Sequence, residues 1–228
     1  WSLVHDAAAT SKAISGKASG SWGYRARACN ADVCGSWSSA SAVQVTLPPA
    51  TAPTLTVPGT NSSGSYTVSW NSVSAATRYE LQERLGSGSW SLVHDAAATS
   101  KAISGKTSGS WGYRVRACNV GGCSAYSSIA SVAVTLPPTG VPTLSGPSTG
   151  MNGSYTISWT SVSVATRYEL QERLGSGSWA QIHNAAATSR AISGKANGSW
   201  SYRVRACNTG GCAGWSSTHA VQVLNKPA

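Results

Sequence analysis

One stretch of this sequence occurs twice, letter for letter, and it constrains the fold more than any other feature. The segment WSLVHDAAATSKAISGK fills residues 1–17 and again residues 90–106, and a diverged third copy begins at Trp179. The same 89-residue spacing, without insertion or deletion, separates three cysteines: Cys29, Cys118 and Cys207. A period near 90 residues is too long for most solenoid repeats and fits one independent domain per copy. The chain is therefore predicted to be a tandem array of small domains.

Proline-rich segments separate the copies and predict the domain boundaries. They are LPPATAP at residues 47–53 and LPPTGVP at residues 136–142, and they divide the chain into residues 1–49, 50–138 and 139–228. The first piece corresponds to the back half of a repeat, so we expect that it cannot bury a core alone. Two explanations stay open: the chain is a processed piece of a longer array that continues before Trp1, or another molecule donates the missing strands.

Alternation of apolar and polar residues within a repeat predicts short β-strands. Phe is absent and small or β-branched residues dominate, which is typical of strands and tight turns. In RYELQER we expect Tyr79 and Leu81 to point inward, and in WGYRVRAC the inward residues should be Tyr113, Val115 and Ala117. Seven strands per complete repeat are predicted. The fold class is therefore all-β, with tandem immunoglobulin-like sandwiches joined by short Pro-rich linkers.

The pattern YELQE, then W, YRVRACN, GC and WS resembles the fibronectin type III domain. A closer likeness is to the cysteine-containing type III repeats of large bacterial cell-surface and RHS-type proteins. The resemblance covers both full repeats and the back half. It implies a seven-stranded type III sandwich in an extracellular protein of bacterial origin. Where the family places its corner tyrosine, this chain has an indole, which donates a hydrogen bond and cannot accept one: Trp22, Trp111 and Trp200.

Each copy carries two cysteines with four residues between them, flanking the turn between the last two predicted strands. The pairs are Cys29 with Cys34, Cys118 with Cys123, and Cys207 with Cys212. We predict a disulfide in each pair, because no histidine or second cysteine pair recurs nearby to complete a metal site. A loop this short contributes about 2 kcal/mol by the chain-entropy estimate. Disulfides also indicate an oxidising, extracellular compartment.

Arginine and aromatic residues are predicted to stack on each other near the end of each repeat. Arg114 and Arg116 lie on one face of their strand, and Tyr126 stands just before the final strand. The third copy has the same arrangement with Arg203, Arg205 and Trp215. A guanidinium group over an exposed ring contributes about 0.5–1 kcal/mol. Type III domains of cytokine receptors use a related ladder, so we interpret this stack as structural.

Trp90 and Trp179 end the SGSW motif of their copies and are candidates for a ligand platform. A flat indole with nearby hydrogen-bonding groups suits the face of a sugar ring. The alternative is a core or edge tryptophan, because sandwich domains commonly bury such residues. A polysaccharide partner therefore stays open at this point.

A histidine recurs at one repeat position, followed by a carboxylate in two copies of three. The pairs are His5–Asp6 and His94–Asp95, but the third copy reads His183–Asn184. Adjacent residues of a strand point to opposite faces, and no nucleophile accompanies the pair, so we expect an exposed strand-end histidine. We predict no catalytic residue, no metal and no cofactor. Calcium at the joints would need clusters of carboxylates, and the Pro-rich joints contain neither Asp nor Glu.

Charge and hydropathy bear on two further partners. Seventeen Lys and Arg against seven Asp and Glu give a formal charge of +10, but the basic residues are spread evenly through the repeats. That distribution predicts a solvated surface and no nucleic-acid partner. No apolar run approaches the roughly 18 residues that a membrane helix needs, so no membrane insertion is expected.

Together these features favour a non-catalytic, extracellular stalk or fibre-forming repeat protein of a bacterial surface. Its expected partners are neighbouring repeats of the same chain and, in a filament, other copies of it. One alternative is a carbohydrate-binding or adhesive module, and another is a spacer within a large secreted RHS-type or toxin protein.

Overall fold

A computed structural model of the protein describes residues 1–225. Those residues form twenty β-strands, and none of them belongs to a helix long and apolar enough to cross a membrane. Residues 1–49 contain β1 (Gly20–Tyr24) and β2 (Ser41–Val45). The strands of residues 50–138 are β3 (Leu55–Thr56), β4 (Thr60–Asn61), β5 (Tyr66–Trp70), β6 (Arg78–Leu85), β7 (Ser91–Ala96), β8 (Ser100–Ile103), β9 (Gly109–Asn119), β10 (Gly122–Cys123) and β11 (Ala130–Val134). Those of residues 139–225 are β12 (Leu144–Ser145), β13 (Thr149–Met151), β14 (Tyr155–Trp159), β15 (Arg167–Leu174), β16 (Ala180–Ala185), β17 (Ser189–Ile192), β18 (Gly198–Asn208), β19 (Gly211–Cys212) and β20 (His219–Leu224).

Each complete unit is a sandwich of a smaller and a larger sheet. In residues 50–138 the smaller sheet has the order β3-β5-β8, and the larger has the order β4-β11-β9-β6-β7 with β10 paired to the end of β9. The first strand is shared between the sheets, since β3 pairs antiparallel with β5 while β4 runs parallel to β11. Residues 139–225 repeat this as β12-β14-β17 and β13-β20-β18-β15-β16. Counting β3 with β4 and β10 with β11, the predicted sandwich of seven strands is confirmed.

Period-two alternation places the core of each sandwich. In β9, Tyr113, Val115 and Ala117 are fully buried, while Arg114 and Arg116 between them are partly exposed. Burying one large apolar side chain stabilises the fold by about 1.5–3 kcal/mol relative to leaving it exposed. A slip of one residue would turn the arginines inward, so the pattern fixes the register of this strand.

Residues 1–49 form one hairpin, β1 with β2, rather than a sandwich. The segment that gives β7 and β8 in residues 90–106 forms no strand at residues 1–17, although the two are identical. Pairing explains the difference: β7 pairs with β6 and β8 with β5, and the first piece has no counterpart of β5 or β6. Val43 is 49% exposed, whereas its counterpart Val132 is fully buried. The first piece therefore presents the inner face of half a sandwich.

Tryptophan takes over the corner hydrogen bond in every copy. Trp111 donates from Nε1 to the Thr107 carbonyl at 3.0 Å, and Trp200 donates to the Ala196 carbonyl at 3.1 Å. Trp22 makes the same bond at 2.9 Å. The acceptor is a backbone carbonyl four residues upstream, so the corner side chain needs only to donate. An indole meets that requirement.

Candidate functional site

A disulfide closes the turn between the last two strands of each copy. Cys118 and Cys123 lie directly opposite each other in β9 and β10, with their Cα atoms 4.0 Å apart. All six cysteines are bonded in the same way: Cys29–Cys34, Cys118–Cys123 and Cys207–Cys212. Glu80 lies close to the second pair, a grouping of metal-ligand types. Sulfurs in a disulfide offer no thiolate, so this grouping is not a metal site.

Arginine and aromatic side chains alternate across the outer face of the larger sheet. Arg84 and Arg114 lie 4.5 and 4.4 Å from the centre of the Trp90 ring. Arg114 and Arg116 lie 4.1 and 4.8 Å from the centre of the Tyr126 ring. We call these five side chains the arginine–aromatic row. Each contact contributes about 0.5–1 kcal/mol where it is exposed to solvent.

The same row recurs in residues 139–225. Arg173 and Arg203 lie 4.5 and 4.4 Å from Trp179, and Arg203 and Arg205 each lie 4.5 Å from Trp215. Burial lowers the pKa of Arg203, and repulsion from the two neighbouring guanidinium groups lowers it further. Crowded like charges of this kind need partners to hold them in place.

Side chains of β6 supply those partners in residues 50–138. Arg114 donates to Gln82 Oε1 from Nε at 2.9 Å and Nη2 at 2.7 Å, and Arg116 donates to Glu80 Oε2 at 2.8 and 2.6 Å. Arg78 donates to the other oxygen of Glu80 at 2.5 Å. Burial alone would raise the pKa of Glu80, but the hydrogen bonds from the two arginines hold it below the ordinary 4.5. The guanidinium groups are thus held by side chains of β6 and lie over the aromatic rings.

Trp90 and Trp179, the predicted sugar platform, are both members of the row. Both indoles are partly buried, and two guanidinium groups lie against each ring. A sugar ring would compete with those cations for the aromatic face. The platform stays a prediction, and retention of Trp90→Ala and Trp179→Ala variants on immobilised polysaccharide tests it. Unchanged retention of both variants would contradict it.

A polar network inside each sandwich escaped the sequence interpretation. Lys106 Nζ lies 2.5 Å from Glu83 Oε1, and the Tyr113 hydroxyl donates to Glu83 Oε2 at 3.3 Å. Tyr66 and Tyr113 join their hydroxyls at 2.8 Å. Burial raises the pKa of Tyr113 far above its ordinary value, and the hydrogen bond with Tyr66 adds to the rise. Two of these contacts recur in the last unit, where Lys195 pairs with Glu172 and the hydroxyls of Tyr155 and Tyr202 lie 2.7 Å apart.

The recurring histidine and its acidic neighbour contact different parts of the unit. The His94 ring packs against Trp70, with ring centres 5.3 Å apart, and its Nε2 lies 3.2 Å from the Ala98 carbonyl oxygen. Asp95 instead pairs with Arg78 at 2.6 Å. The structure therefore does not bring the two groups together. The expectation of an exposed histidine was wrong, because the ring is partly buried against the core tryptophan.

Comparison with known proteins finds similar chains among solved structures. The chain is similar to the solved FN1–FN3 domains of chicken CNTN1, with 20% identity and a TM-score of 0.45 over 89% of this chain and 75% of that chain. No protein-family model and no curated protein matches the chain. The class of protein is defined here by the strand order: tandem β-sandwiches with a fibronectin type III-like fold.

Proposed function

We propose that this chain is a non-catalytic structural segment, a stalk or fibre-forming spacer of an extracellular protein on a bacterial surface. One observation carries the proposal: the polar contacts of residues 50–138 recur 89 residues later in residues 139–225. The arginine–aromatic row, the buried ion pair and the disulfide-closed turn all have counterparts at that spacing. A series of such units extends reach in proportion to its number of copies.

The internal use of charge supports a scaffold role. Glu80 and Glu83 are both buried and engaged by arginine or lysine of the same unit. Their counterparts Glu169 and Glu172 are engaged in the same way. Groups held by such pairs serve the stability of the sheet, since removing a partner would leave a buried charge.

The disulfides support the extracellular part of the proposal, and the resemblance noted in the sequence supports a bacterial surface. Disulfides persist in oxidising compartments and are rare where thiols are kept reduced. The test is to block free thiols in native source material before lysis and then to count blocked cysteines by mass. We expect none of the six to be blocked without prior reduction. Blocked cysteines in most molecules would overturn the extracellular assignment.

Electron microscopy separates the two forms of the structural role. Antibody labelling of intact cells should place the chain outside the membrane, and the purified chain should be imaged at low and high concentration. Ordered filaments would assign a fibre component in which copies contact each other. Isolated rods on labelled cells would assign a stalk, and absence of label from intact cells would contradict both.

A further inference from the structure

The segment that leaves one unit is bound by the next. Asn119 follows Cys118 at the end of β9, and its Nδ2 donates to the Leu47 carbonyl at 2.8 Å. The same amide donates to the Ala75 carbonyl at 3.1 Å, while its oxygen accepts from Gly121 N at 2.8 Å. One buried side chain therefore ties the linker, the loop before β6 and the disulfide-closed turn together.

The second joint repeats the first. Asn208 donates to the Leu136 carbonyl at 2.9 Å and to the Val164 carbonyl at 3.3 Å. Its oxygen accepts from Gly210 N at 2.8 Å. Asn119 and Asn208 are 9% and 7% exposed, so little water reaches either amide if the linker stays bound. Buried polar groups need such partners.

This turn requires glycine because the linker leaves no room for a side chain. A Cβ on Gly121 would collide with the Thr46 carbonyl oxygen, and one on Gly210 would collide with that of Thr135. Neither of these two glycines has a left-handed φ, so it is the close approach of the linker that excludes a side chain. A Cβ on the next glycine, Gly122, would lie 3.1 Å from the ring of Pro48.

We propose that this turn is a socket for the linker of the preceding unit and that it makes consecutive units one rigid body. We define the socket by Asn119, Gly121 and Gly122, and in the last unit by Asn208, Gly210 and Gly211. Its partner is any repeat of this type whose last strand continues into a Leu-Pro-Pro segment. The disulfide beside the glycines keeps the turn in the shape that receives this segment.

The first copy has lost the socket. Asp32 and Val33 stand where Gly121 and Gly122 stand 89 residues later, so a side chain would collide with a linker bound in the same way. The asparagine itself is kept: Asn30 stands at the position of Asn119, and its Oδ1 accepts from Asp32 N at 3.0 Å and from Val33 N at 2.8 Å, much as the Asn119 oxygen accepts from Gly121 N. A repeat placed before this copy would therefore be joined in another geometry.

The socket is a property of the joint and stands apart from the extracellular role proposed above. Its test compares Gly210→Ala with Gly214→Ala in the full chain, since a Cβ at Gly214 meets nothing within 4 Å. Residual dipolar couplings measured in weak alignment report whether residues 50–138 and 139–225 tumble together. In the native chain and in Gly214→Ala, one alignment tensor should fit both units.

Gly210→Ala should separate the two units. We expect the single alignment tensor to split into two, with the degree of order of one unit falling below that of the other. Couplings within each unit, and the hydrogen-exchange protection of β18, should stay unchanged, which distinguishes a freed joint from a misfolded unit. Asn208→Ala is the second variant and should act in the same direction. Two independent tensors in the native chain, or one common tensor in both variants, would overturn the proposal.

Discussion

Two ion pairs of nearly equal length should differ severalfold in the free energy of unfolding that is lost when each pair is broken. Lys106–Glu83 measures 2.5 Å between side chains that are 14% and 11% exposed, and Arg78–Asp95 measures 2.6 Å between side chains that are 39% and 44% exposed. Removing one partner of a buried pair costs about 3–5 kcal/mol, whereas an exposed pair contributes about 0.2–1 kcal/mol. The loss for Glu83→Gln should lie near the lower end of the first range, at about 3 kcal/mol, because the amide oxygen still accepts a hydrogen bond from the lysine.

The chain provides its own control for this experiment. Asn184 already replaces Asp95 in the last unit and still accepts from Arg167 at 3.0 Å, so Asp95→Asn should cost less than about 1 kcal/mol. Hydrogen exchange read by mass spectrometry separates the units, because the turn reads CNVGGC in one and CNTGGC in the other. For Glu83→Gln we expect exchange in β9 to accelerate about 100-fold, with β18 unchanged. A loss below about 1 kcal/mol, or an equal loss for Asp95→Asn, would refute the role of burial.

Further predictions concern the corner, the disulfide and two titrating groups. Trp111→Phe should lower the free energy of unfolding by about 0.5–1.5 kcal/mol, since the corner carbonyl loses its donor, and calorimetry that finds no change would contradict this. Replacing Cys118 and Cys123 with serine should cost about 2 kcal/mol in denaturant titrations and leave the circular dichroism spectrum intact. Burial raises the pKa of Tyr113 above the ordinary 10.0, so stability should be full below about pH 10 and fall as the pH rises beyond it, and Tyr113→Phe should flatten that fall. The pKa of Glu80 is held below 4.5, so stability should be full above that pH and fall as the pH drops below it, a loss that Glu80→Gln should remove.

Alternation within strands was enough to predict the fold class and much of the core. The inward residues expected in β6 and β9, including Leu81 and Tyr113, are buried. The identical segments at residues 1–17 and 90–106 show the limit of such reasoning, because one forms no strand and the other forms two. A strand needs a partner for its backbone groups, and the partners β5 and β6 lie outside the segment. Local sequence therefore predicts which residues can form a strand, and the rest of the unit decides whether they do.

The candidate site was predicted in part for a related reason. The stacking of Arg114 on Tyr126 follows from strand alternation, but the contact of Arg84 in β6 with Trp90, in the turn before β7, was not predicted. Glu83 lies on the inner face of β6 by the same alternation, and a carboxylate there signals a buried partner, but this position was not predicted. Its partner Lys106 is 23 residues away in a loop, so proximity in sequence does not reveal it. Recurrence of both residue types 89 positions later was the available signal.

The bond between each linker and the next turn joins two different surfaces, the end of one unit and the far turn of its neighbour. When each unit binds the next through the same pair of unlike surfaces, every unit is related to its neighbour by the same rotation and translation. The units then lie along a screw axis. Added copies would then lengthen a helix of set pitch, with every equivalent side chain displayed at a regular angle around the axis. A copy such as the first, with Asp32 in the turn, would change the rotation between neighbouring units at that point and so break the regularity of the helix.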